Sequence, residues 1–296
     1  MGTRTLGVWF VAMAALASMA WADQPASDAE HESEFRFRFV GPKVGNRIAA
    51  IAGVPGDPSV YYAGAASGGV WKSADGGNRW VPVSDRQPVA AVGALAVAPS
   101  EPNTVWAGTG EAWVIRDSDV MGNGIYKSTD AGNTWSNMGL PDSGRIGRIV
   151  IHPSNPDIVF ACVLGRATGP QQERGVYRTT DAGQHWERVL FAGENVGCSG
   201  LSLDAHDPHT LIAGMWQVEM HTWGEFSGGP GSGIYISHDG GTKWTRLDEN
   251  KGLPHAPVGK IDVAIAPTNP NRMYALMQTK DQGSVWRSDD AGAHWK

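Results

Sequence analysis

A chain of 296 residues can hold two ordinary domains or one large all-β domain. Glycine accounts for 39 residues, about 13 % against a usual ~7 %, and charged residues for 18 % against ~25 %. The 41 % hydrophobic content excludes a disordered chain, and a net charge of −6 with no Lys/Arg run argues against any nucleic-acid partner, whose phosphates demand clustered cations.

Residues 1–22 read as a secretory signal. Arg4 is the only charge, an apolar segment runs from Leu6 to Ala17, and Ala20-Trp21-Ala22 fits an A-x-A cleavage site. An uncleaved anchor is the alternative, although the apolar run is short for a span. Residues 23–34 form an acidic flexible leader, and no later stretch is long and apolar enough to cross a bilayer. An exported protein, periplasmic or secreted, is expected. Export makes a bond between the only two cysteines, Cys162 and Cys198, possible; two buried free thiols is the other reading. Neither cysteine lies in a C-x-x-C and the nine histidines lack ligand spacing, so no metal and no cofactor is expected.

From residue 35 onward one pattern repeats. The motif [ST]-x-D-x-G-x-x-W occurs five times, with its aspartates at Asp75, Asp130, Asp181, Asp239 and Asp290, spaced by 55, 51, 58 and 51 residues. A short strand precedes each copy, as in Gly124-Ile-Tyr-Lys and Gly175-Val-Tyr-Arg. Upstream lies a turn with two fixed points three residues apart, such as Pro99/Pro102 and Pro153/Pro156. Apolar residues alternate before that turn (Leu95/Val97, Ile149/Ile151), and a further strand follows it. A fourth strand begins near each motif tryptophan, as in Trp186-Glu-Arg-Val-Leu. Four short strands per roughly 54 residues is the signature of a β-propeller blade. The fold class is therefore all-β: four-stranded antiparallel blades near 44–84, 89–138, 145–190, 197–248 and 258–296, within a propeller spanning 35–296.

The motif itself reads as mechanical. The Ser/Thr hydroxyl and Asp carboxylate bond nearby backbone N–H groups, the glycine permits positive φ, and the tryptophan buries a large ring between strands. Five copies assign the five aspartates to structure.

These five segments resemble the Asp-box (bacterial neuraminidase) repeat of sialidases, xyloglucan-cleaving glycoside hydrolases, sortilin-type ectodomains and photosystem II assembly propellers. The stretches Gly64-Ala-Ala-Ser-Gly-Gly-Val-Trp-Lys-Ser, Gly108-Thr-Gly-Glu-Ala and Ser227-Gly-Gly-Pro-Gly-Ser-Gly are similar to those of large exported bacterial proteins of sortilin N-terminal-like or glycosyl-hydrolase-like type. The resemblance implies the fold more strongly than an activity. The arginine of the sialidase Arg-Ile-Pro motif has no counterpart here. Where the xyloglucan-cleaving enzymes carry a first-blade catalytic aspartate in Thr-Asp-x-Gly-Gly, this chain has Ala65-Ala66-Ser67-Gly68-Gly69, with Ala66 at the carboxylate position. Their second catalytic aspartate would lie beyond Lys296, and glycoside hydrolysis generally needs two carboxylates.

Loop length points to the functional face. From the turn's second fixed point to the box aspartate the distances are 17, 28, 25, 31 and 20 residues, so blades 2 to 5 carry 11, 8, 14 and 3 more than blade 1. The surplus falls between second and third strands, on the face opposite the boxes. Blade 2 offers Glu111, Trp113, Arg116, Asp117 and Asp119; blade 3 offers Arg166, Gln171, Gln172, Glu173 and Arg174. Blade 4 offers Trp216, Glu219, His221, Trp223 and Glu225, and the inter-blade loops add Arg145 and Lys260 near the axis. Rings beside charges suit a glycan, peptide or protein ligand. The candidate ligand-binding residues are Glu111, Trp113, Arg116, Arg145, Arg166, Glu173, Arg174, Trp216 and Trp223, with catalytic residues unassigned. The sequence favours a non-catalytic exported binding module; the alternative is a glycoside hydrolase of the xyloglucan-cleaving or related Asp-box type, completed by a second propeller. The last blade stops at its box tryptophan, which suggests either continuation into further blades or a second domain, or closure by Phe35–Val40 as a final strand.

Overall fold

The computed structural model describes residues 41–43, 47–113 and 120–296. The proposed signal, the acidic leader and the Phe35–Val40 closing strand lie outside the described residues, as do Arg116, Asp117 and Asp119.

Five antiparallel sheets follow one another along the chain, as the repeat predicts. The first holds β1 (Ile48–Val54), β2 (Asp57–Ala65), β3 (Gly69–Ser73) and β4 (Val81–Pro82) in sequential order. The second holds β5 (Val92–Ala98), β6 (Glu101–Thr109), β7 (Ile125–Ser128) and β8 (Ser136–Asn137), and the third β9 (Ile146–Ile151), β10 (Val159–Val163), β11 (Gly175–Thr179) and β12 (Glu187–Leu190). The fourth contains β13 (Val196–Leu203), β14 (Leu211–His221), β16 (Gly233–Ser237) and β17 (Thr245–Arg246), with β15 (Gly224–Ser227) pairing only with β14. The fifth has β18 (Ile261–Ile265), β19 (Met273–Met277) and β20 (Val285–Ser288). Backbone bonds from Arg287 N to Lys296 O (2.8 Å) and from Lys296 N to Arg287 O (3.0 Å) start a fourth line of pairing beside β20.

β15 is the one strand that the sequence pattern missed. The segment assigned to a blade-4 loop continues β14 instead, because Trp216, Val218 and Met220 are buried while Gln217, Glu219 and His221 between them are not. That alternation is a strand period, and β15 satisfies the edge it exposes through Val218↔Ser227 to His221↔Gly224.

Successive first strands β1, β5, β9, β13 and β18 pack side by side, as blades stacked around an axis require. Between each pair of blades lies an apolar core. One joins Tyr62 and Val70 to Leu95 and Val105; the next joins Trp106 and Ile125 to Ile149 and Val163. Phe160 and Val176 meet Leu201 and Leu211, and Ile212 and Ile236 meet Val263 and Trp286. A disulfide joins Cys162 on β10 to Cys198 on β13 across the third of these cores.

The five Asp-boxes are built alike. In each, the Ser/Thr hydroxyl donates to the Asp carboxylate at 2.8–3.0 Å and accepts from the box glycine N–H at 2.8–3.0 Å. The same carboxylate oxygen accepts from the N–H four residues on at 2.8–2.9 Å. The hydroxyl residues Ser73, Ser128, Thr179, Ser237 and Ser288 are buried, so each is fully used where water cannot replace it. A backbone bond ties every box to the proline turn of its own blade, for instance Ala131 N to Asn103 O and Ala182 N to Asp157 O. The two turns therefore share one face, opposite the long loops.

The box glycine does more than turn the chain. Gly183 has φ +94°, and a Cβ there would stand 2.7 Å from the Trp106 ring of the preceding blade. A Cβ on Gly241 would stand 2.9 Å from the Phe160 ring in the same relation. Gly183 and Gly241 are thus seats for an aromatic ring of the blade before them, whereas Gly292 in blade 5 faces Ile236 instead. Other groups reinforce the seam: Tyr62 Oη and Lys72 Nζ both donate to Ala131 O, Trp135 Nε1 to Val83 O, Trp186 Nε1 to Met138 O and Arg178 Nη1 to Gly240 O. Burial, with Asp130 adding to it, pushes the Tyr62 hydroxyl up to about 12.

Hydrogen bonds hold the box carboxylates below their ordinary value of 3.8: Asp130 and Asp181 to about 2, with Asp75, Asp239 and Asp290 lowered as well. A depressed folded-state value stabilises the fold above the unfolded value and withdraws that support as pH falls through the folded one. Stability is therefore expected to hold down to about pH 4 and to fall steeply from there towards pH 2. Urea midpoints measured at intervals across this window check it, and a flat profile would contradict it.

Candidate functional site

The inner strands of all five blades line one cavity of about 490 Å³. Arg47, Ile48 and Ala49 come from blade 1, Gly93, Glu111, Ala112 and Trp113 from blade 2, Gly147 and Arg148 from blade 3, Ser199 from blade 4, and Lys260, Asp262 and Gln278 from blade 5.

Blade 2 delivers its residues through the chain immediately after β6. Gly110 has φ +84°, and a Cβ there would fall 2.0 Å from Gly144 O, so only glycine lets the chain pass so close to the next blade. Glu111 follows, almost fully buried, with Arg47 Nε donating to its Oε1 at 2.6 Å. Trp113 comes next and is 58 % exposed. Blade 3 contributes Arg148, whose Nη2 pairs with Asp262 of blade 5 at 2.6 Å. Ser199 sits at a bulge in β13 and donates to Ile261 O at 2.6 Å.

Lys260 stands between two indoles, its Nζ 4.8 Å from the Trp113 ring centroid and 5.3 Å from that of Trp216. Ala112 O lies 3.5 Å from the same nitrogen. Burial pulls the ammonium below its ordinary value, opposed by Asp262 and Glu225 and helped by Arg148. Burial also raises the Glu225 carboxyl, with Lys260 opposing.

The structure separates the sequence candidates into three groups. Glu111 and Trp113 line the axial cavity beside Lys260. Arg145, Arg174 and Trp216 are buried and do not line the axial cavity. Arg145 Nη1 donates to the carbonyls of Gly165 and Arg166. Arg174 donates to Asn195 O (2.8 Å), Val218 O (3.0 Å) and Gly169 O (3.0 Å), and its burial brings it down to about 10. Both guanidinium groups pin long loops by satisfying carbonyls that would otherwise be orphaned. Trp216 donates to Ser227 Oγ at 2.9 Å and roots the β14–β15 ribbon.

The third group lies at the surface. Arg166 pairs with Asp142 at 3.0 Å, and Glu173 lines a separate cavity of about 240 Å³ with Asp142, Tyr177 and Trp186. Trp223 is 77 % exposed on the ribbon, stacked on His221 at 4.5 Å with planes 8° apart, while His221 Nε2 lies 3.0 Å from Glu219.

Sequence reasoning missed Arg47, Arg148 and Asp262. A signal was present for the last two: Arg148 interrupts Ile146-Gly-Arg-Ile-Val-Ile and Asp262 interrupts Ile-Asp-Val-Ala-Ile, polar residues within otherwise apolar inner strands. Ala66 is fully buried directly after β2.

The Sortilin-Vps10 family model (Sortilin, neurotensin receptor 3) matches residues 68–210. The chain is similar to a xyloglucanase of Hypocrea jecorina, at 29 % identity over 70 % of this chain and 26 % of that protein. It is likewise similar to a xyloglucanase of a Paenibacillus species, at 25 % identity over 73 % of this chain and 22 % of that one. It spans about a quarter of the length of these curated relatives. Among solved structures, a glycoside hydrolase family 74 xyloglucanase from Xanthomonas campestris superposes with a TM-score of 0.63 at 18 % identity, covering 84 % of this chain and 38 % of that one. YCF48 bound to D1 peptide superposes with a TM-score of 0.52 at 16 % identity, covering 84 % and 67 %. At such identities the structural likeness concerns the fold.

Proposed function

Because the chain is an Asp-box β-propeller, we propose that it is an exported, glycan-recognising propeller of a glycoside hydrolase, with the sugar chain held in the axial cavity. The observation that carries this reading is the cavity itself. Its volume lies within the ~300–1,000 Å³ usual for ligand sites, and an exposed indole at Trp113 stands beside fixed charges. A sugar ring offers C–H groups to stack on an indole and hydroxyls to bond charged groups. The xyloglucanase relatives support a hydrolase over a generic ligand-binding module. The disulfide supports export, since such bonds persist in oxidising compartments.

Recognition without hydrolysis is the second reading, and Ala66 favours it. That residue supplies no carboxylate, while the two acids that line the cavity among the described residues, Glu111 and Asp262, are both engaged by arginines. Hydrolysis generally needs a carboxylate pair in which one member delivers a proton to the leaving group.

A panel of neutral and acidic plant-type polysaccharides, assayed for binding and for release of reducing ends, separates the readings. Binding should weaken about tenfold in Trp113→Ala, from loss of stacking worth roughly 1.5 kcal/mol. Hydrolysis abolished by Glu111→Gln or Asp262→Asn would assign the chemistry to the cavity; binding with no hydrolysis would leave the recognition reading. A panel with neither binding nor cleavage would overturn both.

A further inference from the structure

Among the described residues the charges around the axial cavity do not balance: three cations line it, Arg47, Arg148 and Lys260, against two anions, Glu111 and Asp262. Each arginine has its own acid, Arg47 with Glu111 and Arg148 with Asp262. Lys260 makes no ion pair with any described residue: its near neighbours are two indole rings and the Ala112 carbonyl. Asp262 and Glu225 act on it through space, but Asp262 is already committed to Arg148. The described lining residues thus leave one positive charge over, in a chain whose net charge is −6.

We propose that the cavity takes a carboxylate-bearing sugar, a uronic acid unit of an acidic glycan, with the carboxylate paired to Lys260 Nζ and the pyranose ring against Trp113. This rests on the glycan-recognition reading above and narrows it to a substrate class. A half-buried ammonium with no ion-pair partner among the described residues is costly, and cation–π contacts with two rings and the through-space pull of Glu225 offset only part of that cost. A carboxylate arriving from solvent supplies the missing charge; a neutral sugar does not. The exposed indole beside Lys260 distinguishes the ligand further, because an oligo-aspartate brings the charge without the C–H face of a pyranose to stack.

Titration calorimetry with trigalacturonate, a glucuronoxylan oligosaccharide, a neutral xyloglucan oligosaccharide and an oligo-aspartate peptide tests the proposal. The uronates should bind at least roughly tenfold tighter than the neutral oligosaccharide, as a charge-assisted bond implies, and added salt should erode that preference. Lys260→Met should remove the preference and Lys260→Arg should keep most of it, with thermal melts confirming that both variants fold. Should Lys260→Met not fold, the uronate preference and its salt dependence in the unaltered protein decide the matter alone. Equal affinity for neutral and uronate oligosaccharides, or a preference that survives Lys260→Met, overturns the proposal while leaving glycan recognition standing. Tighter binding of oligo-aspartate overturns it in favour of a peptide ligand. Failure of every glycan removes the underlying reading as well.

Discussion

Replacing Cys162 and Cys198 together with alanine is expected to destabilise the protein by about 4 kcal/mol. The bond closes a segment of 36 residues, and constraining a loop of that size in the unfolded chain contributes roughly that amount in the chain-entropy description. Both residues are fully buried in the core between blades 3 and 4, so the lost sulfur atoms add a packing cost of the same sign. For a chain of this size the loss corresponds to a fall in Tm of roughly 8–16 °C. Urea unfolding of the double variant measures it. A drop below about 1 kcal/mol would mean that packing holds blades 3 and 4 together unaided.

Trp106→Ala should cost about 3–5 kcal/mol, the range for deleting a fully buried large aromatic. Trp106 has no exposed surface, meets the Trp186 ring edge-on at 6.1 Å, and fills the seat left by Gly183. Trp186→Ala should cost less, because that ring is only partly buried. A double-mutant cycle should show a coupling of about 0.5–1.5 kcal/mol between the two, since each loses its partner when the other goes. Trp106→Phe supplies the contrast. The Trp106 indole N–H is buried without a hydrogen-bond partner, so phenylalanine removes that burden while keeping most of the ring, and should cost far less than alanine. Similar losses for both substitutions would show that the contact is not what stabilises the seam.

The repeat made the architecture readable because one blade's rules recur. Alternation before and after the proline turn marks the first two strands, and the box marks the turn into the fourth; none of this depends on contacts distant in sequence. The cavity was legible only in part. Glu111 and Trp113 lie in a loop of surplus length, and Lys260 in an inter-blade loop expected near the axis. Arg145 and Arg174 looked alike in the sequence, yet both face inward, because the long loops carry carbonyls that need donors. Burial of that kind depends on how a loop folds back, which periodicity does not encode. Arg148 and Asp262 were hidden for the opposite reason: they lie in regular strands, and their meeting depends on blades 3 and 5 facing one another across the axis. The blade-4 ribbon was mistaken for a loop because glutamate, histidine and tryptophan mask its alternation.

The glycine seats have a consequence for how such a protein changes length. The unit that repeats in sequence is the sheet, but the unit that fits together runs from an aromatic on one second strand to the box turn of the next blade. A duplicated or deleted segment of one whole period keeps each box glycine opposite an apolar side chain of the blade before it wherever its endpoints fall. A change of any other length leaves a ring without its hollow or a hollow without its ring. Gene rearrangements within this architecture should therefore survive in whole periods, and tolerated loop insertions should collect on the face where no seat is found.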